Sequence, residues 1–285
     1  MDDLAAALAE VLGAQEVTAV TRLSGGASRE TFRFAADGRD LILQRQRGGD
    51  VRDMGVEANV LRAAFVAGVP VPELVAASAE KSAVGAAFMI LTAVEGETIA
   101  RKILRDEEFS TAREVLPAQF GRALAQLHTI DPGQVTGLAS QDQLQMYRQT
   151  LDLFGEPHPS FELAFKWLHE HRPPPCPPTL VHGDFRLGNV MVGPDGLRAV
   201  LDWELAHVGD PMEDLGWLCV KAWRFGSRKP VAGVGEYAQL IEAYEAAAGV
   251  TVDPEAVRWW EVLGTLKWGI MCIGQANAHI SGAAR

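Results

Sequence analysis

No lysine or histidine occurs before Lys81 in this chain of 285 residues. Every cationic side chain ahead of that point is an arginine. Seven of them fall between Arg22 and Arg52, against Glu30, Asp37, Asp40 and Asp50. Cysteine is also scarce. Cys176, Cys219 and Cys272 are far apart and odd in number, which excludes a disulfide framework and any cysteine-based metal spacing and suits a reducing compartment. Basic residues are outnumbered overall, with a net charge of −11. That balance excludes sequence-independent nucleic-acid binding, which needs a basic face. No apolar run reaches the length of a membrane span. Trp268 to Ala284 lacks charge, but Gln275, Asn277 and His279 interrupt it. Met1 to Leu12 is acidic and Ala-rich, whereas a signal peptide starts basic and carries a longer apolar stretch. The expectation is a cytoplasmic protein with neither membrane nor nucleic acid as partner.

What is present falls into two parts. Leu4, Leu8, Val11 and Leu12 recur at helical spacing, and Gly13 can end that helix. The period then shortens. Val17 to Leu23, Thr31 to Phe34 and Leu41 to Arg45 read as strands, with Asp37-Gly38 as a hairpin turn between the last two. Asp50 to Ala67 returns to helical period, and Gly68 and Pro70 stop it. Glu73 to Ala77 and Ala87 to Ala93 read as two further strands. Residues 1–94 thus predict a five-stranded antiparallel sheet with one helix inserted after the third strand.

Residues 95–285 are mostly helical. Amphipathic helices are predicted around Leu116 to Leu127, Leu144 to Phe154 and Phe161 to His171. The connector Pro173 to Pro178 cannot be helical. Short strands follow at Thr179 to Val181, Val190 to Val192 and Arg198 to Leu201. Pro211 to Trp223, Tyr237 to Ala248 and Pro254 to Asn277 close the chain as helices, with Asp253 as an N-cap before Pro254. The fold class predicted is α+β in two lobes.

Chemistry concentrates in His182-Gly183-Asp184-Phe185-Arg186-Leu187-Gly188-Asn189, followed by Leu201-Asp202-Trp203-Glu204. Strand, short loop and strand bring Asp184 and Asn189 to one sheet edge, and a hairpin returns Asp202 beside them. Asn189 and Asp202 can ligate Mg²⁺ through oxygen, since that ion takes one or two carboxylates plus substrate phosphates. Asp184 is left to orient or deprotonate an attacking hydroxyl, and Arg186 to reach a transferring phosphoryl group. A His182–Asp184 zinc site in a hydrolase is the competing use of the motif, but only His207 lies near in sequence to complete it. Asp210 before Pro211 reads as a helix cap, and Asp214 as a buried carboxylate that binds the loop. Trp217, Trp223, Trp259, Trp260 and Trp268 read mostly as core, with one or two free to line an acceptor pocket.

The spacing from Asp184 to Asn189 is that of the protein-kinase catalytic loop. The wording His182-Gly183-Asp184, Leu201-Asp202-Trp203 and Gly209-Asp210-Pro211 resembles the aminoglycoside phosphotransferase, or choline-kinase-like, family of small-molecule kinases. Within it, the chain looks most similar to kinase domains related to those fused to acyl-CoA dehydrogenases. The resemblance implies a protein-kinase-like fold with ATP and Mg²⁺ as cofactors. Ser24, Gly25 and Gly26 would cover the phosphates, and backbone at Thr92 to Val94 would meet the adenine. Glu57, on the inserted helix, would pair with a cation on strand three. Here the chain departs from the kinase plan. Gln44 stands where the lysine belongs, and Arg45 is next to it but of opposite strand parity. A bulge would turn Arg45 inward, so the expectation is that Arg45 reaches the α/β-phosphates with Glu57 holding it. The function implied is phosphorylation of a small-molecule hydroxyl, and the alternative is an inactive nucleotide-binding relative. The acceptor stays open between an amino alcohol and a hydroxyacyl compound. Lys and Arg number 17 against 25 acids after Val94, which would suit a cationic acceptor.

Overall fold

The computed structural model describes residues 2–23, 29–47, 53–80 and 84–282. Ser24, Gly25 and Gly26 lie outside the described residues, as does the predicted helix start at Asp50. Asp2–Leu12 forms α1, and Val17–Leu23 (β1), Arg29–Ala36 (β2) and Arg39–Gln46 (β3) follow. Asp37 and Gly38 join β2 to β3 with φ of 47° and 80°. Such a two-residue turn matches the twist of paired strands. Met54–Val66 is α2, and Leu74–Ser78 (β4) and Phe88–Thr92 (β5) complete the sheet. Its order is β1-β2-β3-β5-β4, antiparallel throughout.

Strand alternation sorts this sheet into two faces. Phe32, Phe34, Leu41, Leu43, Phe88 and Ile90 pack with Leu8 of α1 on one of them. Ile42, Met89 and Leu91 point the other way, into a core shared with Met54, Ala58 and Leu61 of α2. Register sets Glu30 opposite Arg45 and Thr31 opposite Gln44. Residues of one parity share a face. Glu30 and Arg45 therefore stand on the α1 side, and Arg29 and Gln44 on the α2 side. On α2, Asp53 caps the N-terminus by accepting the Gly55 N–H at 2.7 Å. Met54, Glu57, Ala58, Leu61 and Ala64 recur at helical spacing and are buried, so Glu57 faces the sheet.

The second lobe begins with Ala100–Arg105 (α3), Ser110–Leu127 (α4), Gln143–Phe154 (α5) and Pro159–Glu170 (α6). Thr179–Val181 (β6), Val190–Gly193 (β7), Gly196–Val200 (β8) and His207–Gly209 (β9) follow, then Met212–Leu218 (α7), Tyr237–Ala248 (α8) and Pro254–Ile280 (α9). β6 pairs with β9 and β7 with β8. Among the described residues no helix is long and apolar enough to cross a membrane.

Two differences from the sequence reading bear on the site. β9 is only three residues long, too short for alternation to reveal, yet it pairs with the strand that launches the segment from His182 to Asn189. The helix predicted over 211–223 stops at Leu218. Its end is satisfied by residues beyond the helix: the Arg224 guanidinium, five residues on, donates to the Cys219 carbonyl at 2.7 Å, and the Ala232 N–H to that of Leu218 at 3.1 Å. Helix ends need such partners for their last carbonyls, and no local sequence signal announced these. α7 lies close against α9. A Cβ on Gly216 would stand 2.6 Å from the Trp260 side chain, and one on Gly264 2.8 Å from Val220.

Candidate active site

The loop from His182 to Asn189 is fixed atom by atom. β6 ends on Leu180 and Val181, both fully buried. The His182 ring is buried too, and its Nε2 donates to the Leu201 carbonyl at 3.0 Å while its Nδ1 accepts the Asp184 N–H at 3.2 Å. Burial pushes its pKa down and keeps it neutral. Both ring nitrogens are spent inside the protein, which removes His182 as a zinc ligand. Among the described residues no cluster of three or more His, Cys, Asp or Glu could hold a metal ion by itself. Gly183 has φ of +76°, and a Cβ there would meet the Leu205 carbonyl oxygen at 2.5 Å. Only glycine takes this bend freely.

Asp214 holds the loop from beneath. Its carboxylate accepts the N–H groups of His182 and Gly183 at 2.8 and 2.9 Å, and its Oδ2 lies 3.2 Å from His128 Nε2. Burial alone would raise its pKa, but the bond from His128 and the backbone N–H of His182 help to outweigh burial and keep it low. Asp210 accepts the Met212 N–H at 2.8 Å, at the start of α7. Both acids take the structural places that the sequence suggests for them.

Asp184 presents its carboxylate in a frame of three donors. Trp217 Nε1 donates to Oδ1 at 2.8 Å, Arg186 Nε to the same oxygen at 3.1 Å, and Asn189 Nδ2 to Oδ2 at 2.6 Å. Asn189 Nδ2 also reaches the Asp184 carbonyl at 3.0 Å. With its nitrogen committed, the amide of Asn189 has its oxygen left as the remaining polar atom. Arg186 lies with its guanidinium carbon 4.8 Å from the Trp223 ring centroid. The Leu201 N–H donates to the Asn189 carbonyl at 2.8 Å, which draws the Asp202 turn beside the loop. Asp202 has φ of +64°, an αL position that aspartate and asparagine tolerate better than other side chains. Burial, then repulsion from Glu204, Glu57 and Asp184, pushes its pKa up to about 6, against the pull of Arg29.

Arg29 is the residue that the sequence reading missed. It is 6% exposed, and its guanidinium forms a two-pronged pair with Glu57, Nη1 donating to Oε1 at 2.6 Å and Nη2 to Oε2. Nη1 also donates to Gln44 Oε1 at 3.3 Å, and Nη2 lies 3.5 Å from Glu204 Oε2. Arg45 does not meet Glu57. It pairs with Glu30 on the α1 face, donates to the Val84 carbonyl at 3.0 Å and lies 5.6 Å from the Phe32 ring centroid. The expectation for Arg45 fails because β2 and β3 stay in regular register from Arg29–Gln46 to Ala36–Arg39, with no bulge to turn it inward. Parity on β2 was the available signal: Arg29 is three residues before Phe32 and therefore faces away from it. At the end of β5, the N–H of Thr92 donates to the Glu73 carbonyl and that of Ala93 to the Asp40 carbonyl, each at 3.0 Å. Val94 follows directly.

The arrangement therefore gathers Asp184, Asn189, Asp202, Glu204, Glu57 and Arg29 between sheet and helices. Gln44 joins them through Arg29. The hard oxygens of Asn189 and Asp202 are the donor set that suits Mg²⁺, and the repulsion carried by Asp202 is what a divalent cation relieves. The sequence pattern of the phosphotransferase enzyme family matches residues 19–260. Acyl-CoA dehydrogenase family member 11 of Gallus gallus is 30% identical over 220 residues, covering 70% of this chain and 27% of the relative. The chain thus spans about a quarter of that relative's length. Macrolide 2'-phosphotransferase MphH from Brachybacterium faecium has the same fold, with a TM-score of 0.72 at 22% identity over 100% of this chain and 97% of the other. A thermostable mutant of aminoglycoside phosphotransferase APH(4)-Ia, in a ternary complex with AMP-PNP and hygromycin B, superposes with a TM-score of 0.66 at 18% identity, covering 100% and 95%. With its two-lobe, kinase-like α+β fold and a family match that runs from β1 into α9, the chain belongs to the phosphotransferase enzyme family.

Proposed function

We propose that this protein is an ATP- and Mg²⁺-dependent kinase that phosphorylates a hydroxyl group of a small molecule. The observation that carries the reading is the Asp184 carboxylate, held by Trp217, Arg186 and Asn189 beside Asp202. Three donors hold the carboxylate, the Arg186 Nε–H being shared between its two oxygens at 3.1 and 3.3 Å, and a carboxylate can accept from about four, so an acceptor hydroxyl finds room on it. Asp184 takes the proton of that hydroxyl as its oxygen attacks the γ-phosphorus of ATP, and the bond to the β-bridging oxygen breaks to release ADP. Asn189 and Trp217 keep the carboxylate aimed throughout. Arg186 lies against the same carboxylate and offers its charge to the transferring phosphoryl group. Asn189 and Asp202 would hold Mg²⁺, which neutralises phosphate charge when bound. Arg29, fixed by Glu57 and Gln44, supplies the cation for the α/β-phosphates that the kinase plan assigns to a strand-three lysine. Residues 1–94 form the nucleotide lobe and 95–285 the acceptor lobe. Ser24, Gly25 and Gly26 cover the phosphates, and Val94 offers backbone to the adenine. Most of the acceleration comes from positioning and charge neutralisation.

The acceptor is a small alcohol, and two classes must be tried: hydroxyacyl compounds, to which the acyl-CoA dehydrogenase relative points, and amino alcohols, which an acidic acceptor lobe suits. The test is Mg²⁺-dependent ATP consumption across such a panel. Asp184→Asn is expected to lower turnover about 10³-fold with little change in ATP affinity, as removal of a general base does. ATP binding without turnover on any acceptor would favour the alternative, an inactive nucleotide-binding relative. That alternative drew its support from the missing lysine, and the Arg29–Glu57 pair weakens that support.

A further inference from the structure

We propose that Lys267 is a positioning residue for Asp184, a role that rests on reading Asp184 as the base. Lys267 lies on α9, far from the loop in sequence, and is 5% exposed. Its ammonium donates to the Gly183 carbonyl at 3.0 Å. That carbonyl belongs to the peptide joining Gly183 to Asp184, whose N–H end is held by His182 Nδ1. The peptide plane from which the Asp184 side chain departs is therefore pinned at both ends. The same ammonium sits 4.5 Å from the ring centroid of Trp217, the indole that donates to Asp184 Oδ1. One charge thus fixes the backbone beneath the base and the ring that aims its carboxylate.

A buried ammonium is costly unless its protons find partners. Lys267 finds the carbonyl, the face of Trp217 and Glu213, whose Oε1 is 3.6 Å away. Glu213 in turn meets His207 Nε2 at 3.1 Å, and His207 lies 3.2 Å from Gln143. Burial would lower the His207 pKa, but Glu213 outweighs it and raises it. Neither Glu213 nor His207 is among the partners of the Asp184 carboxylate, whereas Lys267 bonds the Gly183 carbonyl and lies on the ring of Trp217, which donates to that carboxylate. The close approach of α7 to α9 at Gly216 and Gly264 brings Trp217 under the ammonium.

A lysine present only to neutralise Glu213 has the same contacts, so the test removes both charges. Lys267→Met alone leaves Glu213 buried with His207 as its remaining partner and is expected to lower the melting temperature. Adding Glu213→Gln is expected to restore it to within about 3 °C of the parent. The double variant is nevertheless expected to hydrolyse Mg-ATP, with water as acceptor, about 10- to 100-fold more slowly in kcat, the range for removal of an outer-shell partner, with KM for ATP within about twofold. An activity-independent readout is the indole ¹⁵N–¹H resonance of Trp217, assigned through Trp217→Phe. In the parent it is expected to respond to Asp184→Asn, and in the double variant to have moved and lost that response. A double variant with restored melting temperature, kcat within about twofold of the parent and an unmoved Trp217 resonance would overturn the proposal. Parent-like turnover in Asp184→Asn would instead overturn the reading of Asp184 as base, and the Trp217 resonance would still decide whether Lys267 positions it.

Discussion

Asp202→Asn is expected to stabilise the metal-free protein at neutral pH while abolishing its Mg²⁺-dependent turnover. The carboxyl titrates at about 6 in the folded chain against an ordinary value of 3.8. Between those values the folded state binds a proton that the unfolded chain has released. Stability must therefore fall as pH rises from about 4 to about 6, and the full loss, up to about 3 kcal/mol, is present above that window. Asparagine removes the charge, keeps the shape and accepts the positive φ. Thermal unfolding in EDTA at pH 4 and pH 8 provides the check. The gap between variant and parent should open with pH and reach several degrees at pH 8, with the variant on top. Mg²⁺ should reverse the order by stabilising the parent only. A variant less stable than the parent at pH 8 in EDTA would remove the case for stored repulsion at this carboxylate. Turnover with Mg-ATP should fall by at least about 10³-fold, since the metal loses its charged ligand.

The second large effect is expected at Arg29. Arg29→Met leaves Glu57 buried without its guanidinium, and breaking a buried pair in this way costs about 3–5 kcal/mol. Denaturant unfolding should register the loss. Glu57→Gln in addition should recover most of it, because a neutral amide tolerates burial better. Nucleotide binding should not recover. ADP affinity, measured by calorimetry, is expected to stay at least about tenfold below the parent in both variants, as befits a lost charge-assisted phosphate contact. Arg45→Ala is the contrast. Its guanidinium is engaged with Glu30 on the other side of the sheet, so ATP affinity and turnover should change by less than about twofold. The reverse pattern, with Arg45 needed and Arg29 dispensable, would place the phosphate cation on strand three after all.

What the sequence made legible was everything carried by short range and period. Alternation gave the five strands, helical spacing gave α2 and Glu57 on it, and Asp184, Asn189 and Asp202 declared themselves through their spacing and apolar flanks. Asp210 and Asp214 were readable as cap and loop anchor because one precedes a proline and the other sits one helical turn inside. Arg29 was harder. The strand read from the sequence began only at Thr31, and the meeting of Arg29 with Glu57 depends on how α2 lies across the sheet. Trp217 and Lys267 were out of reach for a similar reason. The first read mostly as core and the second was not singled out, until the packing of α7 on α9 set them beneath the loop. The end of α7 escaped because its carbonyls are satisfied by Arg224 and Ala232 through space.

The two faces of the first-lobe sheet carry a consequence for how members of this family are sorted. A rule that looks for lysine at one position on strand three would find no cation for Glu57 in this chain, where Arg29 pairs with it. The requirement at Glu57 is for positive charge at a point in space, and any strand with a side chain of the right parity within reach can deliver it. Here β2 delivers it, and Gln44, left at the vacated position, supports the newcomer through a hydrogen bond. Relatives that have lost the strand-three cation are best sorted by asking which neighbouring strand has gained one.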